Sequence, residues 1–128
     1  MDLRRLRQAY LNDNRLQQLP AQLGKLQQLR ELNLANNQLE QLPASLGACR
    51  ELRTLIVSGN QLRKLPANLG QLAKLEILIA NDNQLRELPR SLRQLKQLRT
   101  VIVRNNAFSP AARRRAEAAL PNAKFYFD

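Results

Sequence analysis

The chain has 128 residues, of which 21 are Lys or Arg and 10 are Asp or Glu, so its formal charge is +11. This length suits one domain, and 44% apolar with 24% charged residues is typical of a folded chain rather than a disordered one. Histidine is absent and Cys49 is the only cysteine, which excludes an internal disulfide and removes the commonest general base and metal ligand. We therefore expect no enzyme activity, no metal and no cofactor.

The sequence also bears on location. No stretch approaches the roughly 18 uncharged apolar residues that a membrane span requires. The first residues, Met1–Leu6, lack the apolar centre of a secretory signal. We expect a reducing, cytoplasmic location without membrane association.

Leucine occurs 27 times, against five aromatic residues in total, and it recurs at fixed spacing. A unit of 23 residues begins at Leu6 and returns at Leu29, Leu52, Leu75 and, in part, at Leu98. We therefore predict a single repetitive domain over residues 1–128. Its parts are the repeats 6–28, 29–51, 52–74 and 75–97, the partial repeat 98–108 and a C-terminal cap over 109–128.

Each unit contains two periodicities. Its first half carries apolar residues two apart, such as Leu32 and Leu34, which is the period of a strand. Its second half is begun by proline (Pro43) and interrupted by glycine (Gly47), so it has room for only a turn or two of tight helix. Because identical units run in the same direction, the strands should form a parallel sheet with the return segments on its other side.

An asparagine follows each predicted strand at the same position of the unit. These residues are Asn14, Asn37, Asn60, Asn83 and Asn106. Where the chain turns inward, backbone groups lose their ladder partners, and an Asn side chain can both donate to them and accept from them. We predict a column of asparagines, each bonded to the turn of its own or the next unit.

The unit Leu-x-x-Leu-x-Leu-x-x-Asn-x-Leu-x-x-Leu-Pro-x-x-Leu-Gly-x-Leu resembles a leucine-rich repeat of the 23-residue Leu-Pro subtype. It is similar to repeats of Scribble-type, plant Ras-group-related and bacterial leucine-rich repeat proteins, and the resemblance covers about Leu3 to Phe108. It implies an α/β fold: a right-handed solenoid with a parallel β-sheet on the concave face, short 3-10 or helical returns, and a protein partner bound to that face. The departures are Ala9, Cys49, Arg93 and the loss of the Leu-Pro half from the fifth unit. We expect Cys49 to fill a core position as a small apolar side chain.

The C-terminal segment predicts a helix-plus-strand cap. Ser109–Pro110 is a helix start and Pro121 marks its end. Arg113 and Arg114 are expected to stay in solvent, and Phe125–Phe127 alternates like a final strand. The helix face expected to close over the last core layer consists of Ala112, Ala116, Ala119 and Leu120.

The first strand, expected around Ala9 to Leu11, has no comparable cap, and an unpaired edge there would leave the core partly open. Three arrangements fit the sequence. The chain could be a fragment of a longer protein, such as a regulatory part of a signalling protein. The edge could pair with a second copy, giving an edge-paired dimer rather than a monomer, or Met1–Arg5 could fold over it.

The strand positions that point away from the core define a candidate binding face. Rungs of a sheet lie about 4.8 Å apart, so isoleucines of successive units should stack into an apolar stripe. Isoleucine suits any strand, but this preference does not explain its choice over threonine. We interpret the stripe as the anchor for a protein partner, oriented by polar neighbours. The predicted partner-binding residues are Tyr10, Asn33, Ile56, Ile77, Ile79, Asn81, Asp82, Ile102 and Arg104.

Basic residues should gather along one rim of the sheet. They are Arg7, Arg30, Arg53 and Arg99, with Arg50, Lys74 and Lys96 nearby. Such a rim is interpreted as a solvated flank that covers leucine, as a steering field for an acidic protein partner, or as a surface for nucleic acid or phosphate groups. Nucleic acid is the least favoured because no aromatic residues alternate with the basic ones. Small-molecule substrates are not expected, since Asp13 and Asp82 stand three units apart, too far for a paired-carboxylate site.

Overall fold

The structure, a computed structural model, describes residues 3–128 and contains one parallel sheet whose six strands pair in chain order. The strands are β1 (Gln8–Tyr10), β2 (Glu31–Asn33), β3 (Thr54–Ile56), β4 (Ile77–Ile79), β5 (Thr100–Ile102) and β6 (Lys124–Tyr126). Leu32, Leu55 and Leu78 lie side by side in neighbouring strands. This register confirms the predicted stacking of units into an α/β solenoid with the sheet on its concave face.

A short 3-10 helix follows each of the first four strands and carries the chain back. These return segments are Ala21–Lys25, Ala44–Ala48, Ala67–Gln71 and Arg90–Gln94. Pro43 shows why such a segment starts where it does. Its φ of −70° is the value that the proline ring imposes, and its carbonyl oxygen accepts from the Leu46 N–H at 3.1 Å. The prediction of short, tight turns is confirmed.

The glycine in each of the first three return segments is a point of close approach between repeats. A Cβ on Gly47 would lie 2.7 Å from the Asn68 carbonyl oxygen, and a Cβ on Gly24 would lie 2.7 Å from the Ser45 carbonyl oxygen. Each contact is made with the backbone of the next return segment, which cannot move aside easily. At Arg93 no further return segment follows, and a helix takes that place instead. The departure from glycine at Arg93 therefore reflects the end of the repeat stack.

The core between the sheet and the return segments consists almost entirely of leucine. Leu29, Leu52 and Leu75, the first residues of successive repeats, have no exposed surface. Cys49 is equally buried, and its thiol lies 3.4 Å from the Leu23 carbonyl oxygen as a weak donor. Burial raises the pKa of the Cys49 thiol. The prediction that Cys49 fills a core position is confirmed.

The asparagine column forms and is more fully bonded than the sequence predicts. Asn60 Oδ1 accepts from the Leu39 N–H of the preceding repeat at 3.0 Å. Its Nδ2 donates to the carbonyl oxygens of Leu34 and Val57, each at 3.0 Å. Asn37 and Asn83 repeat this pattern one unit away on either side. Each asparagine thus bonds its own repeat and the preceding one, rather than its own or the next.

Helix α1 (Pro110–Ala119) and strand β6 cover the last repeat as predicted. Ser109 Oγ accepts from the Ala112 N–H at 3.1 Å and caps the helix. Neither α1 nor any other helix within residues 3–128 has the length and apolar character to cross a membrane.

Two details of the predicted cap are wrong. Ala112 and Leu120 are buried, but Ala119 is exposed because α1 stands away from the return segment beside it. Arg113 is half-buried rather than in solvent: its guanidinium carbon lies 5.2 Å from the centre of the Phe127 ring, in a cation–π contact. Its Nε is buried and makes no hydrogen bond within the described part of the chain.

The first repeat is less well covered than the others. Leu3–Arg5 forms a 3-10 turn, and Leu6 packs against the core while Leu3 is 54% and Leu11 38% exposed. Leu16 and Leu19 are also only partly buried. One of the three arrangements left open was that Met1–Arg5 folds over this edge, and Met1 and Asp2 lie outside the described residues.

Candidate functional site

The predicted apolar stripe runs along the middle of the sheet, and the strand pairing fixes its order. Asn33 pairs with Ile56, Ile56 with Ile79, and Ile79 with Ile102. Tyr10 stands before Asn33 at the β1 end. Because all five occupy the same position of their strands, their side chains form one column on the concave face.

The structure adds Tyr126 to this column, because β6 pairs in parallel with β5 and places Tyr126 beside Ile102. Tyr126 is 37% exposed. The final strand was predicted from the sequence, but Tyr126 was not among the predicted partner-binding residues. The alternation of Phe125–Phe127 contains the signal: Phe125 and Phe127 pack against the core, so the residue between them must point the other way. We call the column Tyr10, Asn33, Ile56, Ile79, Ile102 and Tyr126 the concave stripe.

The isoleucines of the concave stripe are half-buried. Ile56, Ile79 and Ile102 have intermediate exposure, as does Ile77 in the neighbouring column between Thr54 and Thr100. Full burial of an exposed isoleucine stabilises by about 1.5–3 kcal/mol. Since part of each side chain is already covered, a partner gains less than that at each position. The stripe can anchor a complex, but polar and charged contacts must contribute the rest.

The polar residues predicted to orient a partner already hold the solenoid together. Asn81 Oδ1 accepts from the Arg104 N–H at 2.8 Å, and the Asn81 N–H donates to Ser58 Oγ at 3.0 Å. Asn33 Oδ1 accepts from the Ala35 N–H at 3.0 Å. The Asn81 side-chain NH2 has no partner within the described chain and stays available as a donor.

Asp82 belongs to a second column whose constraint is conformational. Its φ is 55°, and the equivalent residues Asp13, Asn36 and Asn105 have φ of 60°, 58° and 55°. The fifth member, Gly59, has φ of 68°. Asp, Asn and Gly tolerate this left-handed conformation best, so the position selects them whatever a partner needs. The recurrence of these three residue types every 23 residues is the signal in the sequence from which this conformation could have been predicted.

The carboxylate of Asp82 is also partly engaged. Its Oδ1 accepts from Asn105 Nδ2 at 2.7 Å, as Asp13 Oδ1 accepts from Asn36 Nδ2 at 2.8 Å. The bond to Asn36, followed by one to Asn12, lowers the pKa of Asp13. Asp82 is exposed and keeps its second oxygen for a partner.

The two ends of the concave stripe differ in charge. At the β6 end, the guanidinium carbon of Arg104 lies 5.5 Å from the centre of the Tyr126 ring, a cation–π contact that fixes a positive group beside an aromatic one. At the β1 end, Tyr10 is 56% exposed and its hydroxyl donates to Glu31 Oε2 at 2.9 Å. That hydrogen bond raises the pKa of Tyr10, so the phenol stays a donor.

The basic rim is present, but two of its basic side chains are paired with glutamates of this chain. Lys74 Nζ lies 2.8 Å from Glu51 Oε2, and Arg99 lies 2.8 Å from Glu76 Oε1. The bond to Lys74 lowers the pKa of Glu51, with a further effect of Arg53. Seven basic residues less these two carboxylates leave a local excess of +5. The excess is greatest towards β1–β3, where Arg7, Arg30 and Arg53 follow one another without an acidic residue at the same position.

Comparisons with known proteins agree with this geometry. The profile of the leucine rich repeat family matches residues 4–62. A leucine-rich repeat protein from Leptospira interrogans is 30% identical, with a TM-score of 0.71 over 98% of this chain and 38% of that chain. An internalin, InlF, from Listeria monocytogenes is 25% identical, with a TM-score of 0.79 over 98% of this chain and 35% of that one. Internalin C2 from the same species is 26% identical, with a TM-score of 0.73 over 87% of this chain and 47% of that one.

The chain thus spans between about a third and a half of these structures. No curated protein matches its sequence. Leucine-rich repeat domains generally mediate protein–protein interaction and are typically not enzymes. The register of 23 residues, the leucine core, the asparagine column and the family match lead to one assignment: residues 4–62 carry leucine-rich repeats, and the described chain folds as leucine-rich repeat proteins do.

Proposed function

We propose that this protein binds a protein partner on the concave face of its sheet, with the concave stripe as the anchor. The observation that carries the proposal is the unbroken register of Ile56, Ile79 and Ile102, extended by Tyr126. An apolar column in the centre with polar groups beside it has the composition of a protein-binding surface: an apolar core and a polar rim. Tyrosine and arginine, which meet at Tyr126 and Arg104, are enriched among residues that dominate binding energy.

The basic rim supports a partner with acidic surface. Arg30 and Arg53 are exposed and directly precede the strands of successive repeats, next to Glu31 and Thr54 in the chain. A field of one sign speeds encounter with a partner of the opposite sign more than it tightens the final complex. We assign steering to the rim and anchoring to the stripe. A location in a reducing cytoplasm is part of the same proposal and is supported by the single, buried, unpaired Cys49.

Ile79→Glu tests the proposal, because it places a carboxylate in the centre of the concave stripe. The tagged protein and this variant are used to capture partners from an extract of the native cell, and captured proteins are quantified by mass spectrometry. Gln84→Glu is the matched control: it changes the charge equally at an exposed position outside the stripe. We expect the partner captured by the wild type to be lost with Ile79→Glu and kept with Gln84→Glu.

Thermal midpoints of the variants separate binding from folding. Substitutions at the surface usually change stability by no more than about 0.5 kcal/mol, and only part of the Ile79 side chain is covered, so Ile79→Glu should melt within a few degrees of the wild type. Equal capture by both variants would reject the concave stripe as the anchor. Loss of capture together with a large fall in the thermal midpoint would show that Ile79 is needed for folding, and would reject its proposed role in binding.

A further inference from the structure

A groove lies on the opposite side of the solenoid from the concave stripe, between the fourth return segment and helix α1. Its volume is about 440 Å³, within the range of ligand sites. Its floor is apolar, with Leu92 and Ala112 3% and 5% exposed and Leu88 half-buried. The groove exists because α1, unlike a further return segment, does not pack closely against Arg90–Gln94.

The charges around the groove are unbalanced. Three arginines line it, Arg90, Arg93 and Arg115, against one carboxylate, Glu87, which leaves an excess of +2. Arg115 lies 3.9 Å from Glu87, and both side chains are mostly exposed, at 66% and 72%, so this pair is weak. Arg90 and Arg93 form no ion pair with any of residues 3–128.

The positions of these arginines set the fourth return segment apart. The other three return segments carry alanine where Arg90 stands and glycine where Arg93 stands. The glycines are required by close packing against the next repeat, a constraint that ends at Arg93. Release from that constraint permits any residue that the surface accepts. In place of the two neutral residues of the other segments, two arginines flank the apolar floor of the groove.

We propose that this groove is a second docking site, for an acidic segment of a protein partner that inserts an aliphatic side chain onto Leu88 and Leu92. Arginine pairs with carboxylates in bidentate geometry. The arginines around the groove would therefore bind the acidic residues of the segment, and the apolar floor would bind its aliphatic side chain. The ten residues of α1 span about 15 Å, the length of an extended segment of about five residues. The site is separate from the concave stripe and does not depend on the function proposed for it.

The test is selection from a displayed library of random eight-residue peptides against the full chain. Peptides recovered with the wild type should be enriched in Asp or Glu together with Leu, Ile or Met. The recovered peptides, synthesised with a fluorescent label, should bind at least tenfold more weakly to Arg90→Glu/Arg93→Glu. Ala116→Phe, which fills the groove and leaves its charges in place, should weaken binding as well.

The controls make failure recognisable. Arg15→Glu/Lys25→Glu has the same change in charge at exposed positions of the first repeat, and it should keep at least a third of the wild-type affinity. Ile79→Glu should leave peptide binding unchanged, so that failure of the concave stripe and failure of the groove are told apart. Lack of acidic and aliphatic enrichment, equal loss in the control, or loss with Ile79→Glu would each overturn the proposal. Vesicles containing phosphatidylserine that bind the wild type but not Arg90→Glu/Arg93→Glu, without peptide binding, would overturn it in favour of a membrane surface.

Discussion

Replacing Asn60 by alanine is the sharpest perturbation of the fold that positions the binding face. Asn60 is 8% exposed and makes hydrogen bonds in two repeats. Its Oδ1 is the acceptor for the Leu39 N–H, at 3.0 Å. Its Nδ2 donates to the carbonyl oxygens of Leu34 and Val57, each at 3.0 Å. Alanine removes the acceptor and the donor together.

The loss can be divided by what remains for each backbone group. The Leu34 carbonyl keeps a bond from Asn37, and the Val57 carbonyl keeps a bond from Asn83. The Leu39 N–H, which lies in the interior, keeps none. A buried unsatisfied donor costs about 1–3 kcal/mol, and two replaceable hydrogen bonds add about 0.5–1.5 kcal/mol each. We expect Asn60→Ala to lower the free energy of unfolding by about 2–6 kcal/mol.

Asn14 provides the matched control within the same column. It is exposed, and its Nδ2 donates to the carbonyl oxygens of Leu11 and Asn12 at 3.0 and 3.2 Å. Water can replace these bonds, so Asn14→Ala should cost less than about 1 kcal/mol. The substitution is the same at both positions, but Asn14 lacks both the burial of Asn60 and its bonds to a preceding repeat.

The measurement is urea unfolding followed by circular dichroism, with the free energy obtained by linear extrapolation. A difference below about 0.5 kcal/mol between Asn60→Ala and the wild type would refute the reasoning. So would an equal cost for Asn14→Ala, because burial of the orphaned N–H would then have no weight.

Three further substitutions test other parts of the structure. Gly47→Ala should destabilise by about 1–3 kcal/mol in the same assay, because its Cβ would lie 2.7 Å from a backbone carbonyl oxygen. Arg93→Ala, at the equivalent position of the last return segment, should change the free energy of unfolding little. Equal effects of the two substitutions would contradict the close packing at Gly47. Gly59→Ala should cost about 1–2 kcal/mol because φ there is 68°, and Gly59→Asn should cost less, which unfolding of both variants checks. Arg30→Glu/Arg53→Glu should slow association with the captured partner about tenfold at low salt and leave dissociation nearly unchanged, as surface plasmon resonance would show; a change confined to dissociation would exclude steering.

The repeat could be predicted because stacked units repeat every constraint at the same interval. Leu29, Leu52 and Leu75 occupy equivalent sites of one core, so their spacing alone gives the register. The strand periodicity likewise placed Ile56 and Ile79 in one column. These inferences need only the alternation of side chains along a strand and the direction of the chain.

Exposure and side-chain pairing could not be predicted in the same way. Half-burial of Ile79 depends on how closely neighbouring columns pack, and periodicity does not contain that distance. Arg113 was expected in solvent, but the helix rotation and the final strand bring it over Phe127. The bond between Lys74 and Glu51 joins residues 23 positions apart, at equivalent positions of neighbouring repeats. The register therefore places them side by side, but the predicted basic rim considered only the basic residues and not the acidic ones that alternate with them.

Hydroxyl-radical footprinting of the complex with the captured partner tests the central claim most directly. Oxidation of Ile79, Ile102 and Tyr126 should fall when the partner binds. Oxidation of Leu3, which is 54% exposed in the turn before the first repeat, should not change. Unchanged oxidation along the concave stripe in a fully formed complex would contradict the claim that this face holds the partner.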